Sequence, residues 1–232
     1  DTPTTAALSA ATSGAIRVLV DGTPDRLPPG LWSYSVSRSQ AIVGGALNDV
    51  GRAMNWLQAT LAPVTAEQIH DALTGPARPN VPLVLPFLTG ERATGWAGDA
   101  RAAITGMSSS TTPTDIWRGV AEGVAISYAR VFEQLRRVNP DVQRVIASGG
   151  VTGHYPGLMQ VVAHAIGFPV QVVDVKRVTM RGAAVLALST LAPETPPARI
   201  PQTDLTVPNP TERAYYDDLL RRFTELYDSV IR

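Results

Sequence analysis

Val145-Ile146-Ala147-Ser148-Gly149-Gly150-Val151-Thr152-Gly153-His154 is the stretch on which the fold turns. A short β-branched run stops at paired glycines, and apolar residues at helical spacing (Leu158, Val161, Val162) follow soon after. In α/β proteins such a junction leaves free backbone N–H groups at a helix N-terminus, beside the carboxyl end of a strand. Glycines there let a flat or phosphorylated ligand reach the main chain without meeting a Cβ. The stretch points to nucleotide binding.

Around it the chain alternates. Upstream, Thr112 caps and Pro113 opens a long helix to Val138, with Ile116, Val120, Val124, Tyr128, Val131 and Leu135 on one stripe. Downstream, a helix runs to about Ile166 and closes at Gly167, Val170–Val173 forms a strand, and Arg181–Leu191 a short helix. Strand–helix–strand–helix order predicts a parallel crossover. A Pro-rich excursion over 193–210 and an amphipathic helix over 211–231 end the chain.

The first half reads differently. Ala6–Ala10 and Ala15–Val20 are strand candidates joined by the small-residue turn Ala11-Thr12-Ser13-Gly14; Leu31–Val36 and Gln40–Val43 follow, as in an antiparallel meander. Apolar spacing predicts a helix over 46–61, and Thr65 with Gln68 a capped second helix to Leu73. Prolines at 79, 82 and 86 make Val81–Phe87 an edge strand or extended segment, and 88–110 a long loop with a task of its own.

With 232 residues, 44% of them apolar and 17% charged, the chain has material for a sizeable core. Acids and bases number 20 each, so nothing favours nucleic acid or a membrane surface as partner. The absence of cysteine excludes disulfides and thiolate chemistry, and the three histidines show no metal spacing. No long apolar span or signal peptide is visible, so a cytoplasmic location is expected. The start at Asp1-Thr2-Pro3 reads as a piece of something longer. The tryptophans at 32, 56, 96 and 117 are expected in the core, and Glu122 is expected to pair, half-buried, with Arg92 or Arg101.

Seven segments, in order, resemble the carboxy-terminal domain of the FGGY family of carbohydrate kinases. They are Ala11-Thr12-Ser13-Gly14-Ala15-Ile16-Arg17, Gly44-Gly45-Ala46-Leu47-Asn48, Pro86-Phe87-Leu88-Thr89-Gly90-Glu91-Arg92, Trp96 with Asp99-Ala100-Arg101, Glu122-Gly123-Val124-Ala125, Ser148-Gly149-Gly150 and Arg181-Gly182-Ala183-Ala184. Within the family the spelling is most similar to gluconate kinases. The resemblance implies an α/β fold, the actin/hexokinase-like (ribonuclease H-like) ATPase domain with a mixed sheet flanked by helices, over residues 1–232. It implies ATP and Mg²⁺ as cofactors, a sugar or sugar acid bound through an amino-terminal domain, and a homodimer as an open possibility. It implies no catalytic residue in this chain, because the family's aspartate base sits in a Gly-Asp motif upstream; Asp1 lacks matching neighbours and is not assigned that role. On this reading the chain alone phosphorylates nothing, and gluconate phosphorylation belongs to the complete enzyme. Phosphorylation of xylulose or another pentulose, or a non-catalytic actin-like nucleotide-binding module, are the alternatives.

Residue by residue, Thr12, Ser13 and Gly14 resemble the second phosphate loop, with Ala11 standing where the family usually has Gly. A tight turn of small residues, plus a hydroxyl, suits phosphate oxygens; a plain hairpin turn has the same local sequence. Gly149, Gly150 and Val151 resemble the adenosine motif, with Val151 in place of a frequent third Gly and His154 free to present a ring nitrogen or merely to cap. Gly51 and Asn55, four apart on one helical face, match the helix covering the other side of ribose and base, or serve helix packing. In Gly90-Glu91-Arg92, Asp99 and Arg101, ion pairing that fixes the loop is favoured over substrate contact.

Overall fold

The computed structural model describes residues 4–231, apart from 174, 176, 202 and 204; Asp1 lies outside them. Its main sheet has strand order β3-β4-β2-β1-β7-β8-β9, from β1 (Thr5–Ala10), β2 (Gly14–Asp21), β3 (Trp32–Ser35), β4 (Gln40–Leu47), β7 (Arg144–Ser148), β8 (Val170–Val172) and β9 (Leu205–Thr206). β1 pairs antiparallel with β2 and parallel with β7, and β8 continues parallel to β7. The expected crossover is therefore present. The first four strands are not a simple meander, because β4 lies between β2 and β3. The Pro- and Gly-rich segment after Asp21 is long enough to carry the chain to the outer edge, from which β4 returns and pairs over its full eight residues with β2.

That pairing also corrects the expected helix at 46–61. Ala46 and Leu47 complete the ladder opposite Ala15 and Gly14, and helix α1 starts only at Gly51 (Gly51–Thr60). Leu47 falls in phase with the helical stripe, but its strand partner determines its conformation. α2 (Ala66–Thr74) begins with the Thr65/Gln68 capping box. β5 (Leu83–Leu85), bracketed by Pro82 and Pro86, forms a two-stranded ribbon with β6 (Ala103–Thr105), a strand inside the expected loop.

α3 (Pro113–Val138) has the predicted bounds, with Thr112 and Asp115 forming its capping box. It is buried nearly all round from Trp117 to Phe132, so it is the central post of the domain. Val120, Val124, Tyr128 and Val131 belong to the same core as Leu8, Ile16, Val18 and Val43 of the sheet; each such side chain contributes roughly 1.5–3 kcal/mol. The helix expected from the glycine turn to Ile166 is two, α4 (Gly150–His154) and α5 (Gly157–Ile166). Pro156 lacks an N–H and disfavours helical geometry at Tyr155, which breaks the run. α6 (Val178–Leu191) has no buried residue and exposes Met180, Leu186 and Leu191, whereas α7 (Arg213–Val230) buries Tyr216, Leu219, Phe223 and Tyr227. No helix among the described residues is long and apolar enough to cross a membrane.

Candidate functional site

The parallel pairing of β1 with β7 sets Ser9 beside Ser148, so both strands end at the same edge of the sheet. Their exits, the Thr12 turn and the Gly149-Gly150 bend, are thus neighbours. The approach is close: a Cβ on Gly149 would stand 2.2 Å from the carbonyl oxygen of Ala10, and φ there is +121°. Only glycine fits.

α1 docks on the first turn from the other side. The N–H groups of Gly51 and Arg52 donate to the carbonyls of Ala11 (2.8 Å) and Thr12 (3.1 Å), satisfying two donors of the helix start. A Cβ on Gly51 would lie 2.7 Å from the Ala11 oxygen and 2.8 Å from Val151 Cγ2, so this glycine lets turn, helix and bend meet. At the exposed tip, the N–H groups of Thr12 and Ser13 and the Thr12 hydroxyl have no acceptor or donor partner among the described residues.

Between these elements opens a cavity of about 800 Å³. Thr12, Gly51, Asn55, Gly150, Val151 and His154 line it. Ser13, Gly14 and Gly149 do not: Gly14 is buried, and the hydroxyl of Tyr128 fills the place of its missing side chain on the way to the Ser9 carbonyl (2.8 Å). Burial pushes that phenol up, so it stays a neutral donor. Sequence reasoning missed the opposite wall, where Ile69, His70 and Leu73 of α2 face Tyr155, Pro156 and Gly157. The apolar face of α2 was legible from its spacing; nothing local says what it faces. Tyr155 closes the wall by donating its hydroxyl to Gln58 Oε1 (3.4 Å), beside Trp117.

α2 is held from behind by charge. The fully buried Arg118 of α3 donates from Nε to Glu122 Oε1 (2.6 Å) and from one terminal nitrogen to the carbonyls of Ala72 (2.9 Å), Leu73 (3.1 Å) and Gly75 (2.9 Å). A guanidinium thus caps the carboxyl end of α2. Burial pushes the Glu122 carboxyl up, against the pull of Arg118 and the Tyr215 hydroxyl. Glu122 is therefore buried rather than half-buried, and its partner is Arg118 on its own helix rather than Arg92 or Arg101. Helix spacing of four residues was the available signal.

The long loop is anchored in the same manner. Glu91, also buried, accepts from the N–H groups of Thr94 and Gly95, from Tyr227 (2.5 Å) and from Arg130 (3.3 Å). Arg101 bonds backbone carbonyls instead, those of Asp99 and Ala100. Buried Asp49 accepts from the N–H (2.8 Å) and hydroxyl (2.9 Å) of Thr89, tying the loop to the start of α1. The tryptophans correct a second expectation. Trp117 is 1% exposed, but Trp56 and Trp96 are 36% and 52% exposed, and Trp32 is half-buried on an edge strand.

A mixed sheet flanked by helices, with two strand exits opening on one hollow, is the architecture of actin/hexokinase-like domains. The chain belongs to the FGGY family of carbohydrate kinases: the model of that family's C-terminal domain matches residues 6–191. It is 29% identical over 157 residues to gluconokinase of Bacillus subtilis, covering 62% of this chain and 31% of that one. Gluconate kinase from Lactobacillus acidophilus superposes with a TM-score of 0.86 at 26% identity, over 99% of this chain and 48% of its own. Ligand-bound xylulose kinase from the same organism gives the same TM-score and identity over 98% and 47%. The chain thus spans about half the length of these solved relatives and about a third of the curated gluconokinase.

Proposed function

We propose that this chain is the nucleotide-binding half of a sugar-acid kinase, and that the cavity between the Thr12 turn, the Gly150 bend, α1 and α2 takes ATP. The observation that carries this reading is the meeting of two side-chain-poor bends, far apart in sequence, in one hollow. The base lies against Gly150 and the apolar α2 wall, Asn55 faces the sugar of the nucleotide, and the free N–H groups and hydroxyl at Thr12 and Ser13 receive the terminal phosphates. Such fixed donors are what phosphoryl transfer needs, since its catalysis is mostly positioning and charge neutralisation.

Among the described residues no cluster of three or more His, Asp or Glu is placed to hold a metal. Following the family resemblance, Mg²⁺ is assigned to the phosphates, water and carboxylates of the amino-terminal half, where it would neutralise phosphate charge. That half also supplies the base and binds the acceptor sugar. Gluconate is the favoured acceptor, supported by the gluconokinase relatives; a pentulose is the second reading, supported by the equal likeness of the xylulose kinase.

Gly150→Trp tests the placement. A Cβ at Gly150 meets nothing within 4 Å, so the fold should tolerate the ring, which would occupy the base site. ATP-analogue affinity measured by calorimetry should fall by about 10- to 100-fold, the worth of lost base stacking, with an unchanged melting temperature. Unaltered affinity would refute the assignment.

A further inference from the structure

Resting on the nucleotide reading of the cavity, we propose that His154 sets the purine preference of the site. It accepts a hydrogen bond from a 6-amino purine and discriminates against a 6-oxo purine.

The inference follows from a fixed proton. Nδ1 of His154 lies 2.6 Å from the carbonyl oxygen of Gly150, one turn back on α4. A carbonyl offers only lone pairs, so the proton of that bond belongs to Nδ1. The neutral ring then carries a bare lone pair at Nε2. Nε2 has no hydrogen-bond partner among the described residues, and the side chain is exposed on the cavity wall. Gly150 and Gly153, on the same short helix, leave open space where a Cβ would stand, so a planar ligand can come alongside.

The other nitrogen-bearing side chains of the wall are Asn55, Gln58 and His70. The amide of Asn55 presents either an oxygen or an NH₂ by turning over, and that of Gln58 already accepts from the Tyr155 hydroxyl at Oε1 (3.4 Å). The ring of His70 makes no hydrogen bond among the described residues, so both of its tautomers are available. Of the two histidines, His154 alone is held to one tautomer. A lone pair at Nε2 is satisfied by an exocyclic amino group, whereas a 6-oxo group opposes it with lone pairs of its own. An unsatisfied, partly desolvated acceptor pair of this kind lowers affinity by about 10- to 100-fold.

The test compares dissociation constants of ATP, ITP and purine riboside triphosphate for the protein and for His154→Ala and His154→Lys, read by calorimetry. The unaltered protein should bind ATP about 10- to 100-fold more tightly than ITP, with the analogue lacking a 6-substituent in between. His154→Ala should weaken ATP, leave ITP nearly unchanged and bring the ratio within about threefold; His154→Lys, a pure donor, should favour ITP. Equal affinity of the unaltered protein for ATP and ITP would overturn the proposal. So would an Ala variant that weakens both alike, the result of a purely structural histidine, or ¹⁵N NMR placing the neutral ring's proton on Nε2. Absence of saturable binding by all three nucleotides would instead overturn the nucleotide reading, and the purine preference with it.

Discussion

Replacing Arg118 by Met should destabilise the protein far more than removing both members of its ion pair. Arg118 gives up five hydrogen bonds at once: one to Glu122, three to the carbonyl end of α2 and one to Tyr216 (3.1 Å). Glu122 is left 2% exposed, with Tyr215 (2.9 Å) as its remaining hydrogen-bond donor. Removing one partner of a buried pair costs about 3–5 kcal/mol, because the other charge stays desolvated. The stranded α2 carbonyls push the value to the upper end of that range. In Arg118→Met/Glu122→Leu no charge is stranded, and well-packed apolar replacements of a buried pair are often neutral. The double variant should therefore recover at least about 2 kcal/mol over Arg118→Met. Urea unfolding followed by circular dichroism gives both values, and the cycle with Glu122→Leu isolates the coupling. Nucleotide affinity should fall in the single variant as well, since α2 is a wall of the cavity. Simple additivity, or a loss below about 1 kcal/mol for Arg118→Met, would refute the reasoning.

Three further outcomes are expected. Gly149→Ala forces a Cβ to 2.2 Å from a carbonyl at positive φ and should cost at least about 2 kcal/mol, whereas Gly150→Ala, in open space, should change thermal stability by less than about 0.5 kcal/mol. Asp115→Asn should cost about 1 kcal/mol near neutral pH by weakening the cap of α3. Burial raises the Asp115 carboxyl, but the Thr112 hydroxyl and N–H and the Arg78 guanidinium outweigh it and hold it below the usual range. A depressed carboxyl stabilises above its unfolded value, about pH 4, and loses that contribution as pH falls through the folded value; the difference between variant and parent, followed in acid titrations of unfolding, should shrink accordingly. On the proposed kinase reading, Thr12→Val in the complete enzyme should lower turnover about 10-fold or more at an unchanged melting temperature, and unaltered turnover would rule out a phosphate role for the hydroxyl.

Much of the architecture was legible residue by residue. Thr65 with Gln68 and Thr112 with Asp115 mark helix starts because a side-chain oxygen must satisfy an N–H within three residues. The stripe from Ile116 to Leu135 recovered α3 to its ends, and the β-branched run before Gly149 located β7. The seven matching segments also carried the family. Two of the misses share one cause. Ala46 and Leu47 took strand geometry because β2 was there to pair with them, and β3 moved to the edge because β4 occupied the place beside β2.

The site divides in the same way. The residues of each bend are local features, recognisable from glycine and small hydroxyl side chains. That the bends adjoin follows from the parallel register of β1 and β7, and the α2 wall from Arg118 gripping three carbonyls. Capping, periodicity and turn chemistry act over a few residues and are written in the local order of amino acids. Strand neighbours, buried ion pairs and the exposure of Trp56 and Trp96 depend on which surfaces must leave water together, a property of the whole chain that exists only once it has folded.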